Sequence, residues 1–227
     1  MWRLRLVRIL VIVLGLAAWF GTQSLISERA AGSGVIGDGL LELTAPINRY
    51  LLDHPDVANG LLIVSSMGID ILAVFLLVWS IFGPSIRPFV GLLILFAMRQ
   101  VCQAICALPL PEGIIWRDPG FPSLLVTYGV SNDLFFSGHT GLAVYGTIEL
   151  CRLKRPWLTV FAVFLVVFET VTVLLLRAHY TMDVFAGIAA AFCAAIAASR
   201  LAPTSDRLLA RLVGSRYIPP DASPGSA

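Results

Sequence analysis

Residues 9–27 carry no charged side chain, and similar apolar runs follow at about 57–82, 88–108, 135–151, 156–176 and 182–199. A hydrocarbon core about 30 Å thick takes about 20 helical residues to cross. Runs of this length and number restrict the chain to an all-α polytopic membrane protein: six transmembrane helices, an extra interfacial helix and short connections. The charge content agrees. Of 227 residues, 13% are charged and 58% hydrophobic, whereas a soluble domain has about 25% charged. Disorder needs the opposite balance. A net charge of +2 supplies no basic face for nucleic acid. The first run follows Arg3, Arg5 and Arg8, a pattern shared with signal peptides, but its uncharged length favours a retained span.

Between the first two runs, residues 28–58 mix charges with Leu40, Leu41, Leu43, Ile47, Leu51 and Leu52. That mixture predicts one amphipathic helix lying at the interface. The expected organisation is a first span and interfacial helix in 1–58, a helical core in 59–202, and a partly disordered tail in 203–227. Six spans place eleven cations on one side: Arg3, Arg5, Arg8, Arg87, Arg152, Lys154, Arg155, Arg200, Arg207, Arg211 and Arg216. Arg29, Arg49, Arg117 and Arg177 fall on the other. The positive-inside rule then puts both termini in the cytoplasm. Cys102, Cys106, Cys151 and Cys193 are scattered and read as small buried hydrophobes.

Ionisable groups within apolar runs are costly and draw attention as functional candidates. Asp70 and Arg99 lie mid-span and are expected to pair, the alternative being that Arg99 reaches a bound phosphate. Glu169 lies within the fifth run. His139 opens the fourth run, and His179 closes the fifth. The 40 residues between them cross the membrane and return, so both histidines reach the extracytoplasmic face. Asp183 follows His179 by four, one helical turn. A carboxylate there fixes the imidazole tautomer and frees the other nitrogen as nucleophile or base. A metal site needs three or four ligands and only these three converge here, so metal binding is the lesser reading.

Asn132-Asp133-Leu134-Phe135-Phe136-Ser137-Gly138-His139-Thr140 and His179-Tyr180-Thr181-Met182-Asp183-Val184 resemble the two signature motifs of sphingomyelin synthases, a branch of the type 2 phosphatidic acid phosphatase superfamily. Arg99, Gln103 and Leu108-Pro109-Leu110-Pro111 resemble a third motif. Plant phosphatidylcholine:diacylglycerol cholinephosphotransferases share a similar pattern. Thr172-Val173 stand where the wider superfamily has Ser-Arg, which favours the synthase branch over a general phosphatase. The resemblance implies a metal- and cofactor-independent transfer of a phospho-head group, such as phosphocholine, from a membrane phospholipid. The acceptor would be diacylglycerol, ceramide or water. His179 would be the nucleophile that forms a phosphohistidine, Asp183 its orienting base and His139 the general acid and base. Arg177, the backbone at Ser137-Gly138, and Asp133 would hold the head group. A lipid phosphatase or phospholipase C-type hydrolase, or a non-catalytic lipid transporter, would use the same fold. A homo-oligomer is compatible with all of these.

Overall fold

The computed structural model describes residues 2–27, 36–128 and 134–214. Its eight helices are α1 Trp2–Ser27, α2 Gly39–Leu43, α3 Ala45–Asp53, α4 Pro55–Phe82, α5 Arg87–Ile105, α6 Gly138–Cys151, α7 Pro156–Leu175 and α8 Thr181–Leu212. Five of them, α1, α4, α5, α7 and α8, are long and apolar enough to cross a membrane. The chain is therefore a multi-pass helical membrane protein. Proline starts α4 and α7 and lies at the second position of α3 and α5, where its missing N–H costs no helical bond.

The fourth apolar run forms a helix, but a short one. At 14 residues, α6 is about 21 Å long, less than the hydrocarbon thickness. It is central rather than peripheral: His139 to Tyr145 are all buried, as are Gly146, Glu149 and Leu150. It packs on α4, α5, α7 and α8. Because other helices surround it, α6 need not reach both interfaces, and its N-terminus lies within the bundle. Close approach is secured by small residues. A Cβ at Gly187 of α8 would stand 2.7 Å from the Ser137 carbonyl oxygen, and the inner face of α8 continues with Ala190, Ala191, Ala194 and Ala198.

Two expectations are corrected. The interfacial segment is two helices, α2 and α3, broken at Thr44. Pro46 lacks the N–H that one continuous helix would need and would clash with the preceding turn. The last helix does not stop near residue 199. It runs through Pro203 to Leu212, held there because Asp206, Leu209 and Ala210 are buried. The expected 202/203 boundary thus falls inside α8, and residues 215–227 lie outside those described.

Candidate functional site

The N-termini of α6 and α8 and the C-terminal ends of α1 and α5 meet at one end of the bundle. His139, His179, Arg99 and Gly138 line one pocket there, with Gln23, Trp19 and Trp116 completing its polar and aromatic wall. It encloses about 650 Å³ of empty space, part of it open to the surroundings.

Two local devices aim the histidines. Ser137 is the N-cap of α6: its hydroxyl accepts the Thr140 N–H at 3.3 Å and donates to Thr140 Oγ1 at 3.0 Å. The Ser137 N–H donates to the Asp183 carbonyl at 3.0 Å, tying the two motif segments together. Both the hydroxyl and the N–H of Ser137 are therefore engaged within the protein, and the next amides at this helix start are those of Gly138 and His139. The helix itself cannot satisfy those amides. The second device ends α7. Arg177 N–H donates to Leu174 O at 3.1 Å and Ala178 N–H to Val173 O at 2.9 Å, the bonding pattern of a Schellman motif. Arg177 takes the left-handed position, φ 51°, where glycine is usual. Phe135 is also left-handed, φ 69°, so each motif has a strained residue two to four positions before its histidine.

His179 Nδ1 lies 3.3 Å from Asp183 Oδ2, and the same oxygen accepts the Tyr180 N–H at 2.9 Å. Asp183 is fully buried. With Nδ1 protonated toward this carboxylate, Nε2 of His179 carries the lone pair. His139 meets the edge of Trp116, ring centroids 5.1 Å apart at 88°. Its Nε2 is buried with no hydrogen-bond partner among the described residues.

The cations divide differently from expectation. Arg177 does not line the histidine pocket. Its guanidinium donates to the carbonyls of Glu112 at 2.5 Å and Leu41 at 3.1 Å, beside a separate cleft that includes Asp38 and Tyr180. Those bonds hold the reversal in place. Arg99 is the pocket's cation: it donates to Gln23 Oε1 at 3.2 Å, and a Cβ on Gly138 would sit 3.1 Å from its Nε. Asp70 takes other partners than Arg99, accepting the Leu124 and Leu125 N–H groups at 2.7 and 3.0 Å. Main-chain donors in the 106–128 loop hold it, and Arg99 lines the pocket. Asp133 lies outside the described residues. Glu169 is buried between α4 and α7, accepting the Ser65 hydroxyl at 2.5 Å, and does not line the pocket.

Four contributors were not anticipated: Trp19, Gln23, Trp116 and Asp38. The first three line the pocket. Asp38 works from a distance, with one carboxylate serving two helix starts. It accepts the Leu40 and Leu41 N–H groups of α2 at 3.0 and 3.3 Å, and the Thr181 N–H and hydroxyl of α8 at 2.6 and 2.7 Å. Partial burial pushes its pKa up, but the bonds from Thr181, Leu41 and Leu40 outweigh this and leave it below the usual carboxylate value.

The fold and this pocket define a class: a multi-pass helical membrane protein with paired histidines, one braced by aspartate, sunk inside the bundle. The profile of the AtPDCT1/2 family matches residues 38–200, and the chain belongs to that family. It is 26% identical over 177 residues to phosphatidylcholine:diacylglycerol cholinephosphotransferase 1 of Arabidopsis thaliana, covering 78% of this chain and 57% of that one. It is 27% identical over 112 residues to phosphatidylcholine:diacylglycerol cholinephosphotransferase 2 of the same plant, covering 49% and 36%. The chain thus spans little more than half the length of the first of these relatives. No solved structure matches.

Proposed function

We propose that the pocket is the active site of a membrane-embedded phosphotransferase that moves a phospho-head group, phosphocholine or one like it, from a phospholipid to a lipid alcohol, with diacylglycerol the favoured acceptor. The observation that carries this reading is the pairing of His179 with buried Asp183 in a pocket whose second histidine has an unpartnered Nε2. The names of the two plant relatives supply the donor and acceptor.

In the first step His179 Nε2 attacks phosphorus and the phosphorus–oxygen bond to diacylglycerol breaks. His139 gives its proton to the departing alkoxide, and the head group is held as a phosphohistidine. In the second, His139 takes the proton of the incoming hydroxyl. The resulting oxygen attacks phosphorus, and the phosphorus–nitrogen bond breaks. Asp183 balances the positive charge that develops on His179. Arg99 and the first amides of α6 face the phosphoryl oxygens, where positive charge lowers the barrier most. In this reading α6 is the fourth of six spans, both termini are cytoplasmic, and the pocket opens to the outer leaflet. Residues 59–202 form the catalytic core and 1–58 add the first span and interfacial helices; the tail, 203–227, begins as the last turns of α8 and leaves the helix after Leu212.

The test uses vesicles of phosphatidylcholine labelled in the head group, with diacylglycerol, ceramide or no acceptor added. Wild type converts added diacylglycerol to labelled phospholipid, and His179→Ala does not. Turnover at the wild-type rate in His179→Ala sinks the mechanism. Lipid movement across the bilayer without head-group transfer points to a transporter instead.

A further inference from the structure

Next to the histidine pocket lies an apolar groove between α1, α4 and α5. The two share Trp19, Phe96 and Leu125. The rings of Trp19 and Phe96 stack, centroids 4.3 Å apart, and form the threshold between them. On one side stand Gln23, Arg99 and the histidines; on the other, Gly15, Leu16, Leu92 and Leu93. We propose that this groove is the acyl-chain site of the glycerolipid whose head group occupies the histidine pocket. The proposal rests on the transferase reading of that pocket.

The direction and depth of the groove support an acyl chain as occupant. The polar pocket is lined by Gln23 and Arg99, near the ends of α1 and α5, and the groove follows both helices back to Gly15 and Phe89. The ten helical steps of α5 from Arg99 to Phe89 span about 15 Å. That is about half of a 30 Å hydrocarbon core, the depth of one leaflet. A lipid with its phosphate at the histidines therefore has its chain beside α1 and α5 over that same depth. At Gly15 the two helices touch: a Cβ there would lie 2.7 Å from the Phe89 ring, so the packing of Phe89 on Gly15 closes the deep end of the groove. Lipid tails are as apolar as these walls, so the groove gains nothing by burial. It acts by shape, fixing where the ester bond sits relative to His179.

One consequence separates this site from a general lipid contact. The diacylglycerol that leaves and the diacylglycerol that enters pass through the same position, since the second step retraces the first. Donor and acceptor should therefore show the same chain preference.

Two measurements test the site. Phosphatidylcholine with a photoreactive diazirine at mid-chain is irradiated in vesicles with the full-length protein, and labelled peptides are identified by mass spectrometry. Labels are expected on the α1 and α5 segments around Leu16 and Leu93, suppressed by excess diacylglycerol. Labels confined to other helices overturn the proposal. In parallel, Leu93→Trp and Leu16→Trp narrow the groove from side chains that are not fully buried. Turnover of long-chain phosphatidylcholine should fall at least about tenfold in kcat/KM, the scale of a single methylene's misfit in an apolar pocket. Turnover of a dihexanoyl donor should hold, and the chain-length profile for diacylglycerol should shift in step. Equal losses on short and long donors overturn the groove. A wild-type protein that transfers no head group refutes the transferase reading instead, and the photolabelling map still decides whether the groove holds a chain.

Discussion

Buried charge is handled in opposite ways at the two ends of the bundle. At the end away from the histidines, carboxylates and cations are matched. Asp206 of α8 accepts the Ser85 hydroxyl at 2.6 Å and the Ile86 N–H at 3.0 Å, and pairs with Arg8 of α1 at 3.5 Å. Glu149 of α6 accepts Arg87 Nε and Nη2 on one oxygen and meets Arg152 with the other. These groups fasten α1, α5, α6 and α8 and the turn after α4. At the histidine end, Asp183 Oδ1 and His139 Nε2 have no hydrogen-bond partner among the described residues, and two backbone residues are left-handed. An unsatisfied buried polar atom costs about 1–3 kcal/mol, and such atoms occur at both ends, Arg8 Nε and Glu149 Oε1 among them at the far end. The difference is where they sit: Arg8 and Glu149 are in ion pairs that join helices, whereas the unbonded His139 nitrogen belongs to a residue that lines a pocket.

The contrast is broken most sharply by exchanging the property lost at each end. Asp183→Asn keeps an acceptor for the Tyr180 N–H but no longer holds His179 in the required tautomer. Head-group transfer should fall about 10⁴-fold, as when a buried triad carboxylate is neutralised, with little change in thermal midpoint. A fall of less than tenfold would show that the pairing is structural. At the other end, Asp206→Ala removes the partner of buried Arg8 and orphans the Ile86 N–H. It should destabilise the protein by about 3–5 kcal/mol while the folded fraction keeps its kcat, read by unfolding in detergent alongside turnover. Lost kcat at unchanged stability would erase the distinction between the two ends.

The helices were legible because each apolar run is continuous in sequence, and α4 and α7 begin and end within two residues of expectation. The convergence of His139, His179 and Asp183 was legible too, from the one-span return between the motifs and the four-residue step. What stayed hidden depends on partners far along the chain. Arg177 lies two residues before a nucleophile candidate, and nothing local says that its guanidinium is tied to Leu41, 136 residues away. Three of the eleven cations read as topological, Arg8, Arg87 and Arg152, are in ion pairs. Asp70 found main-chain donors in a loop rather than the cation in the next span. Two missed residues did carry signals. Gln23 is polar within an uncharged span, and Asp38 stands before the Leu40-Leu41 pair like an N-cap.

Arg177 sharpens the comparison at smaller scale, since its backbone and its side chain do separable work. Arg177→Gly retains the left-handed reversal and loses the two guanidinium bonds. Arg177→Ala loses both advantages and should be less stable than the glycine variant by about 1 kcal/mol, measured as a difference in unfolding midpoint. If glycine and alanine are equivalent, the strain at this turn is not what sets its cost. Neither variant should match the loss of His179→Ala, because the pocket's cation is Arg99.

The smallest effect belongs to Asp38, and its pH dependence has a definite sign. Replacing an N-cap by alanine costs about 1 kcal/mol; Asp38 is the N-cap of α2 and also accepts the first N–H of α8. Its folded pKa lies below the usual carboxylate value. The stability it adds is therefore fully present above about pH 4, where the unfolded chain's carboxylate is already ionised. That stability is lost as pH falls through the lower folded value. The gap in unfolding midpoint between wild type and Asp38→Ala should be constant from neutral pH down to about pH 4 and close below it. Asp38→Asn, which retains one acceptor, should lie between them at neutral pH. Because Thr181 is two residues from His179, Asp38→Ala should also lower kcat more than it raises KM, with Asp38→Asn restoring part of the loss. A gap that widens in acid, or a kcat indifferent to Asp38, would leave this residue as a surface cap with no bearing on the histidines.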